Sequence, residues 1–191
     1  METVLFYLHR LASTPTASGA SKHLEVFASV VPSRLECLLG DYRASLTALV
    51  PLYAPEGADA LRLVDSVFQA KLSVVYHAGV SYLMTRRYKD ATRVLGGICA
   101  VMQRGFKTGQ LRKLPGSTDQ FQKLFDGMIA LLAILTHICP SAKLDDGLLR
   151  TIRDKHGNQF VQGGERGRGL RGHVHLRLSQ VHKSRLARLQ F

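Results

Sequence analysis

The sequence predicts an all-α fold of antiparallel helix pairs. Three observations carry this. Apolar residues recur at three- and four-residue steps through most of the first 160 positions, Pro, Gly or charged turns separate the segments so marked, and no sustained alternating pattern occurs before residue 160. With 191 residues, 46% apolar and 21% charged, the chain is long enough for a core and too apolar for wholesale disorder.

The elements follow in order. Val4, Leu5, Leu8 and Leu11 make a short apolar stripe, and residues 15–21 form a loop by composition. Residues 23–31 read as a helix stopped by Pro32, whose ring and missing N–H oppose continuation. Ser33 is placed to cap the next helix, which runs to Leu39. Gly40-Asp41 is a tight helix-to-helix turn, because Gly accepts the left-handed conformation at a helix end. A helix with Ala44, Ala48, Leu49 and Leu52 inward then runs to Pro55-Glu56-Gly57. Residues 58–84 read as one long helix, with Leu61, Val64, Phe68, Leu72, Val75, Gly79 and Tyr82 at helical spacing. Arg86-Arg87 marks a second turn, and 88–103 is the partner helix.

Residues 105–117, with Gly105, Gly109, Pro115 and Gly116, read as an exposed basic loop. Residues 119–138 form another helix, stopped by Pro140. The last, 144–156, starts with Asp145 and Asp146 where the helix dipole favours acids. Val174, Leu176 and Leu178 alternate with polar residues over 173–179, too short a stretch to found a sheet.

Charge is unevenly distributed. Lys and Arg number 26 against 14 Asp and Glu, a formal net charge of +12, which points to a polyanionic partner such as RNA. Residues 161–191 carry half of it, through Arg166, Arg168, Arg171, Arg177, Lys183, Arg185 and Arg188 against the single acid Glu165. Those seven are the candidate RNA contacts, with salt-dependent and sequence-blind affinity. A solvated tail, or a non-native reading frame, is the equally open alternative.

The three cysteines, Cys37, Cys99 and Cys139, are too few and too widely spaced for a disulfide framework or a zinc motif. Cys99 and Cys139 lie in apolar stretches and read as inert buried thiols, which fits a reducing compartment. His9, Arg10 and Glu2 interrupt any secretory signal; a mitochondrial presequence stays open, since residues 3–24 hold no acid. The apolar run 128–138 is too short to span a bilayer. The expectation is a soluble cytoplasmic protein with no membrane partner.

Recurring helix pairs suggest a repeat. The tetratricopeptide template wants Gly, Tyr three residues on, then Ala, then a large apolar residue four later, and Gly79, Tyr82, Ala91 and Leu95 meet those slots. Gly79 and Ala91 would let two helices approach closely; Tyr82 and Leu95 would fill the space towards the next pair. A weaker copy lies 46 residues upstream: Gly40-Asp41-Tyr42 aligns with Arg86-Arg87-Tyr88, and Ser45 and Leu49 align with Ala91 and Leu95. Gly40, Tyr42, Gly79, Tyr82, Tyr88, Ala91 and Leu95 are therefore the expected packing residues. The template's Trp, Leu and closing Pro slots hold Val75, Ala78 and Gln103 instead. A non-repetitive hairpin with small residues at a crossing would look the same.

The same residues carry a narrower resemblance. LLGDYRASLTAL at 38–49, SYLMTRRYKDATRVL at 81–95 and MIALLAILTHICP at 128–140 resemble, in order and spacing, the central region of the L-subunit family of eukaryotic translation initiation factor 3. The second block is the specific one. The resemblance covers about residues 1–158. It implies a TPR-like, PCI-type α-solenoid and a structural subunit that brings no catalytic residue and no cofactor. By the same resemblance, the partners are other initiation factor 3 subunits, E and K among them, and the small ribosomal subunit during preinitiation complex assembly. After Phe160 the sequence turns to Gly, Arg and His in place of the family's winged helix. The expected organisation is a helical-repeat domain at 1–158 and a basic tail at 159–191, in a fragment, a short form or a misread gene model.

Little else suggests chemistry. Gly167, Gly169 and Gly172 formally spell G-x-G-x-x-G, but without the strand and following acid of a dinucleotide site. His173, His175 and His182 have arginine neighbours and no Cys, Asp or Glu among them, a poor metal set. His77 and His137 read as satisfied core or interface histidines. Asp145 and Asp146 diverge by about 100° on a helix and do not make a catalytic pair. No nucleophile elbow, P-loop or H-E-x-x-H occurs, so no enzyme and no small-molecule substrate are expected. Two functions remain: a helical scaffold, or an RNA-binding adaptor using the basic tail and the 105–117 loop.

Overall fold

A computed structural model describes residues 2–13, 19–53, 58–113 and 118–164. Among these residues every regular element is a helix. In chain order they are α1 (Glu2–Ser13), α2 (Gly19–Leu39), α3 (Tyr42–Thr47), α4 (Val50–Tyr53), α5 (Ala58–Ser66), α6 (Phe68–Met84), α7 (Tyr88–Lys107), α8 (Thr118–Ile138) and α9 (Asp146–Gly164). A 3-10 turn, Gln110–Lys113, lies between α7 and α8. The chain forms two compact units, Met1–Val94 and Leu95–Phe191, whose boundary falls inside α7.

In the first unit α2 is central: α1, α3, α4, α5 and α6 all pack on it. Its apolar face supplies Val26 and Val30, one turn apart, to a core completed by Leu49, Leu52, Val64, Val74 and Ala78. Burying such a side chain contributes about 1.5–3 kcal/mol. This packing corrects three sequence-based expectations. Pro32 does not stop a helix at residue 31; it sits buried inside α2, and Ser33 caps nothing. A mid-helix proline costs roughly 3 kcal/mol, which contacts with five neighbouring helices offset.

The helix expected at 58–84 is two. Val67 is extended (φ −103°, ψ 94°), and the Ser66 hydroxyl donates to Leu63 O at 2.7 Å. A β-branched residue beside a serine that bonds back to the helix carbonyls is a weak point in a helix. Lys71 and Asp65 pair across the break at 3.1 Å. The helix expected after Gly40-Asp41 also divides, because Leu49 N bonds Leu46 O and Leu52 N bonds Leu49 O, three residues back in place of four.

In the second unit, Phe125 of α8 receives the Phe106 ring of α7 edge-on at 5.5 Å and the Lys155 ammonium of α9 at 5.6 Å. Lys155 also pairs with Asp126. Gln103 ties α7 to α9 through Thr151 Oγ1 (2.8 Å) and Gly147 O (3.4 Å). Leu144 packs so close to Gly96 that a Cβ there would lie 2.6 Å from its Cδ1. The loop expected at 105–117 is not wholly exposed: α7 runs on to Lys107, and Leu111 of the 3-10 turn is buried over Gly105.

Length and composition alone would let α8 cross a membrane, unlike its apolar segment 128–138 taken by itself. Its Phe121, Phe125, Met128, Ile129, Leu132 and Leu135 are buried within the fold. The final helix starts at Asp146, two residues later than expected, and continues to Gly164, into the segment read as tail. Cys99 is buried; Cys139, expected to be buried, is partly exposed beyond the end of α8 with Sγ 3.5 Å from Ser141 Oγ.

Candidate functional site at the paired hairpin turns

The two turns singled out by sequence share one hydrogen-bonding scheme. At the end of α2, Gly40 N donates to Cys37 O (3.3 Å) and Asp41 N to Glu36 O (2.9 Å). At the end of α6, Arg86 N donates to Leu83 O (3.1 Å) and Arg87 N to Tyr82 O (2.8 Å). Both are the paired closing bonds of a helix that ends in a left-handed residue. That residue is Gly40 (φ 93°) in one turn and Arg86 (φ 63°) in the other. The next helix begins alike in both: Ser45 N bonds Asp41 O, and Ala91 N bonds Arg87 O, each at 3.0 Å.

The side chains at the turns differ. Asp41 caps α3 through Oδ1, which accepts from Ala44 N at 2.9 Å. Arg87 instead lies over the Tyr82 ring at 4.6 Å and bonds Asp90 at 2.9 Å. Asp90 also holds Arg93 at 3.0 Å. The two turns flank a single open cleft of about 360 Å³, lined by residues 40–43 and 84–86.

The first unit also buries a polar cluster among its apolar residues. Ser33, Ser45 and Ser81, from α2, α3 and α6, are all at most 1% exposed. The Ser45 hydroxyl donates to Ser33 O at 2.8 Å and accepts from Ser81 Oγ at 3.1 Å. Among the described residues no buried side-chain nitrogen or oxygen lacks a partner. Cys37 Sγ reaches His77 O at 3.6 Å, and burial, partly countered by a hydrogen bond with Ser81, pushes its thiol pKa up. Burial pushes the Cys99 thiol up to about 12.

The expected packing residues fall as follows. Gly40 is exposed at the cleft and Tyr42 is half-buried at the start of α3. Gly79 is buried within α6. Tyr82 packs half-buried against the first unit's core, and Tyr88, also half-buried, opens α7. Ala91 and Leu95 are fully buried. Of the two histidines, His77 is half-buried with Nδ1 at 2.7 Å from Ser73 O, whereas His137 is exposed. Arg166, Arg168, Arg171, Arg177, Lys183, Arg185 and Arg188 lie outside the described residues, as do His173, His175, His182 and the G-x-G-x-x-G segment. Among the described residues no group of three His, Cys, Asp or Glu could hold a metal ion.

The sequence reading missed the serine cluster. Its one visible sign is that Ser45 aligns with Ala91, where a small residue is expected. Ser33 and Ser81 carry no local signal of burial. It also gave no role to Arg43.

The family described as RNA polymerase I-associated factor PAF67 matches residues 9–166. Over 146 residues the chain is 35% identical to eukaryotic translation initiation factor 3 subunit L of Emericella nidulans, covering 75% of this chain and 29% of that protein. The subunit L of Aspergillus clavatus is 33% identical over 141 residues, covering 74% and 28%. That of Coccidioides immitis is 34% identical over 129 residues, covering 68% and 25%. The chain thus spans less than a third of the length of the curated relatives it matches. No solved structure matches it.

Proposed function

We infer the function of this chain from its family: it belongs to the RNA polymerase I-associated factor PAF67 family, and the relatives it matches are subunit L of eukaryotic translation initiation factor 3. The chain is a non-enzymatic structural part of that factor. It acts as a protein–protein scaffold in assembly of the preinitiation complex on the small ribosomal subunit, in the cytoplasm, with the E and K subunits among its neighbours. The observation that carries this reading is the family match itself, which spans residues 9–166. The identical closing bonds of the Gly40 and Arg86 turns support a TPR-like, PCI-type helical repeat over 1–158. Residues 159–191 act as a basic appendage.

The test is isolation of the tagged full chain from eukaryotic cells after nuclease treatment. Initiation factor 3 subunits, E and K included, and small ribosomal subunits should co-purify. They should still do so when residues 161–191 are deleted. The concentration of seven basic residues in that segment favours a second reading, an RNA-binding helical adaptor. Loss of all association on deletion would replace the scaffold with that reading.

A further inference from the structure

We propose that the cleft between the two hairpin turns is a docking site for an acidic peptide segment of a neighbouring protein, held by Arg43 and Arg86. The first observation is backbone strain. Arg86 is the one non-glycine residue with positive φ among the described residues (63°), in a turn whose counterpart holds Gly40. A side chain in that region costs roughly 1–2 kcal/mol that glycine avoids. Residues held there against their preference cluster at functional sites.

The second observation is the state of the charges. Arg87, next in sequence, is engaged by Tyr82 and Asp90. Arg86 and Arg43 line the cleft, are exposed, and pair with no acid among the described residues. Asp41, the acid in the cleft, already accepts a hydrogen bond from Ala44 N.

The third observation is what else lines the cleft. Two guanidinium forks match carboxylates in bidentate fashion. Met84 offers an adaptable apolar surface to the side chain beside the carboxylate. The cleft offers two arginines and no lysine and spans about 360 Å³, whereas a nucleic-acid backbone calls for an extended basic track. An acidic peptide with an interspersed apolar residue fits this set.

The source of the peptide rests on the scaffold reading, but the cleft is tested separately. The probe is a fluorescein-labelled peptide of alternating Glu and Leu, titrated into the full chain and followed by anisotropy. Arg86→Gly should weaken binding about tenfold, the loss of one charge-assisted contact, while the melting temperature rises. Arg43→Ala combined with Arg86→Gly should abolish binding. Arg112→Ala combined with Arg150→Ala, which removes equal charge from exposed positions in the second unit, should leave it unchanged. The proposal is overturned if Arg86→Gly binds the peptide like the unmodified chain, or if the control pair weakens it as much as the cleft pair does. It is equally overturned if poly-uridine RNA, and not the peptide, is lost on Arg86→Gly. Co-purification of initiation factor 3 subunits is a separate readout, so either reading can fail alone.

Discussion

The Ser45 hydroxyl donates to the Ser33 carbonyl at 2.8 Å while accepting from Ser81 Oγ at 3.1 Å, so one buried side chain joins three helices of the first unit. All three serines are at most 1% exposed, so their hydroxyls are shut off from solvent.

Ser45→Ala should therefore cost more than its size suggests. The Ser81 hydroxyl loses its Ser45 acceptor, and the expected destabilisation is about 1–3 kcal/mol. Urea unfolding of the full chain checks this. A free energy within about 0.5 kcal/mol of the parent, the range of an ordinary surface change, would mean the cluster contributes nothing.

Gly40→Ala tests the turn. No atom lies within 4 Å of the added Cβ, so no clash is expected, yet φ of +93° should make the substitution destabilising by roughly 1 kcal/mol. Arg86→Gly should shift stability the other way at the equivalent position. Thermal melts of both variants settle the pair; equal signs would contradict a shared turn geometry.

Gly96→Ala places a Cβ 2.6 Å from Leu144 Cδ1. Overpacking of this kind costs about 1–3 kcal/mol. Leu144 is a flexible side chain at its tip, so the double variant with Leu144→Ala should recover part of the loss. A double-mutant cycle gives the coupling, and strict additivity would rule out the contact.

The cysteines predict a pH dependence. The Cys99 thiol is raised by burial to about 12 in the fold, above its ordinary value of 9.0, so the native state holds its proton where the unfolded chain releases it. Its contribution is complete below the unfolded value and is lost as pH rises from about 9 towards 12. Cys37, raised by burial, acts in the same direction. Unfolding free energy should fall as pH rises from about 9 towards 12, and Cys99→Ala should flatten the slope. At neutral pH a thiol reagent should label Cys139 before Cys37 or Cys99, because Cys139 is the partly exposed one.

The turns were legible because glycine at residue 40 and adjacent charges at 86–87 interrupt long apolar periodicity. Spacing also singles out Tyr82, Ala91 and Leu95, of which Ala91 and Leu95 are fully buried. Ser33 was misread because serine after proline is a local signal for a helix start, and only its contact with Ser45 of α3 and its burial show that it lies inside one.

By itself the sequence determined the helical class, the positions of both turns and the family, since helical periodicity and three blocks resembling the family's are written along the chain. Tertiary structure alone decided that α2 passes through Pro32, that α5 and α6 separate at Val67, and that Gly40 and Arg86 face one cleft. The physical reason is scale. A local preference is worth about 1 kcal/mol per residue and up to roughly 3 for proline, and packing a helix against several neighbours can exceed either.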